Sequence, residues 1–154
     1  MSITKQELVQ KIETKFANCG FAFTFQGTDD TESKYIHIVF TLSDKYILQA
    51  QADTDHDDDD DNRLIYGLTV CNAPKNPDWI HCCLDIWNDT ECLDFLANWE
   101  SHHKSEFEKT VARHNAVQFA IDALEEKQNE LRRAFARSVR EYRNPEPDID
   151  EEDD

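Results

Sequence analysis

The chain has 154 residues, enough for one domain with a single hydrophobic core. Hydrophobic residues make up 39% of it, and the nine Phe and three Trp argue against disorder of the whole chain. The formal net charge is −17, and repulsion between the C-terminal acidic tail and phosphates argues against an ordinary DNA-binding protein.

The negative charge is concentrated in two short segments. Seven acids lie in positions 53–61, namely Asp53, Asp55, Asp57, Asp58, Asp59, Asp60 and Asp61, and seven more lie in positions 146–154. The other 19 of the 33 acids face 16 Lys and Arg residues, so the rest of the chain has a net charge of −3. Any electrostatic function is therefore expected to be local to these segments.

Five cysteines, an odd number, show no regular disulfide spacing, and the chain does not open with a signal-peptide pattern. Its apolar runs are too short to cross a membrane. These features predict a cytoplasmic protein.

The first segment is predicted to be a helix over residues 4–18. Thr4 and Glu7 have the spacing of a capping box, and Ile3 and Leu8 have that of a hydrophobic staple. Leu8, Ile12 and Phe16 follow at helical spacing, and Gly20 marks the end.

Residues 21–87 alternate with a period of two, which is typical of strands. Five such runs separated by turn residues predict an antiparallel meander, with the acidic segment of positions 53–61, called the Asp run below, between the third and fourth strands. The fourth run puts Leu64, Tyr66, Leu68 and Val70 on one face, and the fifth extends from Ile80 to Ile86.

Residues 89–143 are predicted to be helical, with Asn88 as a cap before Glu91. Apolar residues then recur at spacings of three and four, which is typical of a coiled-coil seam. A helix over residues 113–143 would be roughly 45 Å long, more than a small sheet covers. The seam, whose members share this spacing, comprises His114, Val117, Ile121, Leu124, Gln128, Leu131, Phe135, Ser138 and Tyr142.

The sequence thus predicts an α+β domain over residues 1–143. It consists of an N-terminal helix, a five-stranded antiparallel sheet and C-terminal helices, one of them long. Pro145 and Pro147 end the last helix, and residues 144–154 are predicted to form a disordered acidic tail.

No motif indicates catalysis or a cofactor. The three glycines of the chain form no phosphate-binding loop, and His81 with Cys83 lacks an orienting third group. The Asp run fails as an EF-hand, because Asp58 stands where Gly is needed and Leu64 where Glu is needed. We therefore expect no enzyme, no cofactor and no bound metal.

Zinc is disfavoured by the cysteine spacing. Neighbouring Cys82 and Cys83 point to opposite faces of a strand, so Cys82 is better explained as a buried thiol. The spacing leaves open whether Cys71, His81 and Cys83 share a metal.

Acidic segments bind basic surfaces, and small acidic inhibitors from phages, such as anti-CRISPR and anti-restriction proteins, resemble this chain in size and charge. The leading hypothesis is an interaction protein that docks on a nucleic-acid-binding protein and modulates it. The expected contact residues are the seven acids of positions 53–61 together with Trp79 and Trp87, which are predicted to share the second face of the sheet.

A second hypothesis starts from the seam. A helix of that length needs a partner for its apolar stripe, which favours a homodimer. On this alternative, the protein is a chaperone-like or scaffold protein that presents its sheet face to a protein client.

Overall fold

A computed structural model describes residues 2–55, 63–72 and 80–145. The chain divides into two units, residues 1–111 and 112–154. The predicted α+β architecture is confirmed, with an N-terminal helix, a five-stranded antiparallel sheet and C-terminal helices.

Helix α1 (Lys5–Phe16) begins with the predicted capping box. Thr4 N donates to Glu7 Oε2 at 2.8 Å, and Glu7 N donates to Thr4 Oγ1 at 3.2 Å. The hydrogen bonds that Thr4 N and Thr4 Oγ1 donate to the Glu7 carboxylate lower the pKa of Glu7, because they favour its charged form. Leu8, Ile12 and Phe16 are fully buried, as their spacing predicts, and Ile3 packs against the same core.

The sheet is a meander of strand order β1-β2-β3-β4-β5, and every neighbouring pair is antiparallel. Its strands are β1 (Ala22–Gln26), β2 (Tyr35–Thr41), β3 (Tyr46–Asp53), β4 (Ile65–Asn72) and β5 (His81–Cys83). Alternate residues of the central strands, such as Phe40, Leu48 and Val70, are buried on one face and stand opposite one another across the strands.

A β-bulge at Gly67 changes the face of β4. Gln49 pairs with Thr69 and Gln51 with Tyr66, so one residue of β3 is opposite two of β4. Gly67 has φ of 65°, the left-handed conformation typical of a bulge glycine. The prediction that Tyr66 shares a face with Leu68 and Val70 is therefore wrong, and Ile65 is the fully buried residue before the bulge.

Strand β5 is shorter than predicted, ending at Cys83 rather than Ile86. Leu84 N still donates to Leu68 O at 2.8 Å, but the next residue of β4 is Gly67. The bulge interrupts the edge to which β5 would continue to pair, so residues 84–88 leave the sheet.

Helix α2 (Asp89–Ala97) begins at the predicted cap, where the Asn88 side chain accepts from Glu91 N at 2.8 Å. A π-helical turn (Trp99–His103) follows and leads into α3 (Lys104–Arg143). Trp99 and Phe107 pack against Tyr46, and Phe95 packs against Trp99, so these four rings form the aromatic part of the core. No helix among the described residues is long and apolar enough to cross a membrane.

Candidate interaction surface

The connections β1–β2 and β3–β4 leave the sheet at the same end, because β1 and β3 run in the same direction in the meander. The first connection carries exposed Asp29, Asp30 and Glu32, and Asp53 and Asp55 stand at the start of the second. We call these five residues the acidic end. Asp29, Asp30 and Glu32 could not be predicted as members of this surface, because only the pairing of the strands brings their connection to the same end as Asp53 and Asp55.

Lys34 joins the two connections. Its Nζ lies 3.3 Å from Asp53 Oδ2 and 3.2 Å from Asp55 Oδ2. The carboxylates of Asp55 and Asp53 raise the pKa of Lys34, so this lysine stays charged at neutral pH. The backbone is tied at the same place, since Thr54 N donates to Lys34 O at 3.1 Å.

The residues before α1 and its first residue also contact the acidic end. Ile3 N donates to Thr54 O at 3.1 Å, and Ser2 forms a β-bridge with Asp55. Lys5 Nζ donates to the backbone carbonyls of Gly27, at 2.7 Å, and Asp30. The chain entering the Asp run is therefore held by backbone hydrogen bonds as well as by side chains.

The chain leaving the Asp run is held by a buried carboxylate. Asp89, which is fully buried, accepts from Leu64 N with both oxygens at 3.1 and 3.0 Å and from Ile65 N at 3.0 Å. Lys15 Nζ lies 2.7 Å from Asp89 Oδ2. This cluster connects α1, α2 and the start of β4, and a carboxylate at the first position of α2 also suits the positive end of the helix dipole.

The structure describes some of the predicted contact residues and not others. Asp53 and Asp55 belong to the acidic end, and their side chains are 20% and 58% exposed. Asp57–Asp61 and Trp79 lie outside the described residues, as does the predicted tail from Glu146 onward.

Trp87 is 52% exposed, but it lies between β5 and α2 rather than on the predicted sheet face. Its Nε1 donates to Asp85 Oδ1 at 2.6 Å, and its backbone N donates to Glu91 Oε2 at 3.4 Å. The cap of α2 thus determines the position of Trp87. Since Asp89 binds Leu64 and Ile65 two residues later, Trp87 lies near the chain that leaves the Asp run.

The cysteine and histidine residues of the sheet are arranged by the strand register. Cys71 is opposite His81, and Thr69 is opposite Cys83. Cys82 is half-buried against the core while Cys83 is exposed, which confirms that these neighbours point to opposite faces. Burial raises the pKa of Cys71 to about 11. Within residues 2–55, 63–72 and 80–145, no three His, Cys, Asp or Glu residues are grouped as metal ligands.

The second unit has a different surface. Residues 112–143 of α3 are all exposed, although they include large apolar side chains. Leu124, Phe135 and Tyr142 of the seam are 70%, 72% and 89% exposed. Exposure of this extent is unusual for large apolar residues and is typical of a binding surface.

The chain matches no protein-family model, no curated protein and no solved structure.

Proposed function

We propose that this protein is a non-enzymatic interaction protein that docks on the basic surface of a nucleic-acid-binding protein and modulates it. The contact is made by the acidic end together with the sequence-adjacent Asp57–Asp61. The observation that carries the proposal is the convergence of the β1–β2 and β3–β4 connections at one end of the sheet. The five free cysteines fit a reducing compartment such as the cytoplasm.

Convergence matters because electrostatic attraction falls off quickly in salt. At 0.1 M ionic strength the Debye length is about 10 Å, so only charges collected within a small area act together on a partner. Acids spread over a whole protein would be screened from one another. The acidic end adds exposed Asp29, Asp30 and Glu32 to one of the two segments in which the acids of the chain are concentrated.

Anchoring of the chain on both sides of the Asp run supports the same proposal. Asp55 is held by Lys34 and by the bridge to Ser2, and Leu64 is held by Asp89. A segment whose two ends are fixed loses less conformational entropy on binding than a free tail does. We therefore assign the main contact to the Asp run rather than to the acidic tail.

The test compares two variants with the same charge. In the first, Asp57–Asp61 are changed to Asn. In the second, five exposed acids away from the acidic end are neutralised as Gln or Asn, namely Glu13, Asp44, Glu100, Glu106 and Glu108. Each protein is used to capture partners from nuclease-treated host lysate, and the Kd for the purified partner is measured at 0.05 and 0.3 M salt.

We expect wild type and the second variant to bind the same nucleic-acid-binding protein, with affinity that falls steeply with salt. The first variant should bind at least about tenfold more weakly at low salt. An equal loss of affinity in both variants would mean that binding depends only on the net charge of the protein. Unchanged affinity of the first variant at low salt would refute docking through the Asp run.

A second candidate is the dimeric chaperone-like or scaffold protein that presents its sheet face to a client. The exposed seam on residues 112–143 favours it, as does the face of the sheet opposite the core, where His37 and Thr41 are exposed and Val39 is half-buried. On this candidate, Val39→Glu should abolish client capture and neutralising Asp57–Asp61 should not. The reverse result would favour docking through the acidic end.

A further inference from the structure

The arrangement of charge along residues 112–143 selects a partner for the exposed seam. Within residues 112–143, four acids and two bases precede Leu131, whereas five arginines and one acid follow it. The first half of this helical segment is therefore acidic and the second half basic. The acids of the first half are Asp122, Glu125, Glu126 and Glu130, and the arginines of the second are Arg132, Arg133, Arg137, Arg140 and Arg143.

The nine positions of the seam recur every 3.5 residues on average, the repeat of helices that supercoil in pairs. A shallow groove lined by Ile121, Leu124, Gln128 and Leu131 lies in the middle of the seam. Grooves between such side chains are the holes that receive knobs from a second helix. The occupant is thus another helix with the same repeat, and this chain itself supplies one.

We propose that two copies of the chain pair through this seam with their helices antiparallel. An antiparallel pair sets the acidic half of each copy against the arginine half of the other. A parallel pair would set the five arginines of one copy beside the five of the other, at a cost that grows with their number.

The positions that flank the seam support the same orientation. When Leu124 packs opposite Phe135 of the second copy, the seam overlaps from Val117 to Tyr142, and Glu125 faces Arg132 of the second copy. The two-fold symmetry of the pair makes this contact twice. In a parallel pair, Lys127 would face Arg132 of the second copy, which is a repulsive contact.

This inference uses residues 112–143 alone and does not depend on the acidic end. It deepens the second candidate function, since a scaffold of this kind rests on dimer formation. A monomeric result would remove that candidate and leave docking through the acidic end untouched.

The experiment measures sedimentation equilibrium of the full-length protein over a wide concentration range. We expect wild type to be a dimer and Leu124→Asp/Leu131→Asp to be a monomer. Both leucines are exposed in the single chain, so circular dichroism of the variant should still show the folded protein. A wild type that stays monomeric, or that forms a larger assembly, would overturn the proposal.

Charge reversal then distinguishes the two orientations. Arg132→Glu places Glu opposite Glu125 in the antiparallel pair and should weaken the dimer by about tenfold, since two symmetric contacts change sign. The same variant would strengthen a parallel dimer, because Lys127 would then face Glu. Strengthening would therefore overturn the antiparallel assignment.

Mixing provides the final control. Glu125→Arg should also weaken the dimer, but an equimolar mixture of the Glu125→Arg and Arg132→Glu proteins restores both attractive contacts and should form a heterodimer. Arg133→Glu, at a position that points away from the seam, should leave the wild-type Kd within about twofold. Failure of the mixture to associate, or an Arg133→Glu effect as large as that of Arg132→Glu, would contradict the register.

Discussion

The Asp89 carboxylate and the Lys15 ammonium lie 2.7 Å apart, with the Asp89 side chain fully buried and that of Lys15 28% exposed. Asp89 also accepts hydrogen bonds from Leu64 N and Ile65 N. One carboxylate of α2 therefore satisfies two backbone N–H groups at the start of β4 and a cation of α1. Removing it leaves the Leu64 and Ile65 N–H groups without this acceptor in the interior.

We expect Asp89→Ala to lower the free energy of unfolding by about 3–5 kcal/mol, the cost of breaking a buried pair from one side. Asp89→Asn keeps one acceptor oxygen and should cost less. Urea denaturation measures both. Thr90→Ala, at the exposed next residue, is the control and should change stability by less than about 0.5 kcal/mol. A cost below about 1 kcal/mol for Asp89→Ala would show that water replaces the carboxylate.

Gly67→Ala should destabilise the protein through backbone strain alone. A Cβ added at Gly67 would meet no atom within 4 Å, but φ is 65°. L-residues in the left-handed region lose about 1–2 kcal/mol, and Asn loses less. The Tm measured by thermal unfolding should therefore be highest for wild type, lower for Gly67→Asn and lowest for Gly67→Ala. An Ala variant as stable as wild type would mean that β4 abandons the bulge.

Thiol reactivity should follow burial. Cys83 is exposed, whereas Cys71 and Cys92 are fully buried. Burial raises the pKa of the Cys71 thiol to about 11 and that of the Cys92 thiol as well, which depletes the reactive thiolate. With an aromatic disulfide reagent at pH 8, we expect Cys83 to react at least about a hundredfold faster than either. Assignment uses single Cys→Ser variants, and fast labelling of Cys71 in folded protein would contradict the packing of β4.

The stability of the protein should fall as the pH drops below about 6.5, partly through His103. Its ring stacks on Phe95 with the ring centroids 4.5 Å apart, and burial, then the neighbouring His102, lower its pKa from the ordinary histidine value of 6.5. The unfolded chain thus binds this proton at a higher pH than the folded chain does. Unfolding is favoured as the pH falls through the ordinary histidine range, and the effect levels off below the folded-state pKa.

Nuclear magnetic resonance titration of the histidine side chains measures this directly. His103 should titrate below the ordinary histidine value of 6.5, and His102→Gln should move its midpoint upward. His103→Gln should reduce the slope of unfolding free energy against pH between 6.5 and the folded-state pKa. A His103 midpoint at or above 6.5 would contradict the stacking arrangement.

The elements that depend on local sequence were predictable. The caps at Thr4 and Asn88 are confirmed because the groups that satisfy each helix start lie within three residues of it. The bulge was not predicted, since a period of two shows that a strand alternates but not where its phase shifts. Gly67 within the run was the available signal.

Less of the candidate interaction surface could be predicted from the sequence. The Asp run is visible as composition, but its enlargement by Asp29, Asp30 and Glu32 depends on strand order. The buried role of Asp89 depends on contacts with Lys15 and Leu64, which are distant in the sequence. Nothing about an Asp in the first turn of a helix marks it as buried, because exposed acids are common there.

The pairing of Ala52 with Ile65 brings the two flanks of the Asp run together in the ladder, independently of the residues between them. A segment mounted in this way can change in length and charge without altering the core. Substitutions between Asp55 and Arg63 should therefore leave the fold unchanged. A library randomised in this segment would use the sheet as a display scaffold. The residues of the Asp89 cluster would be left unchanged.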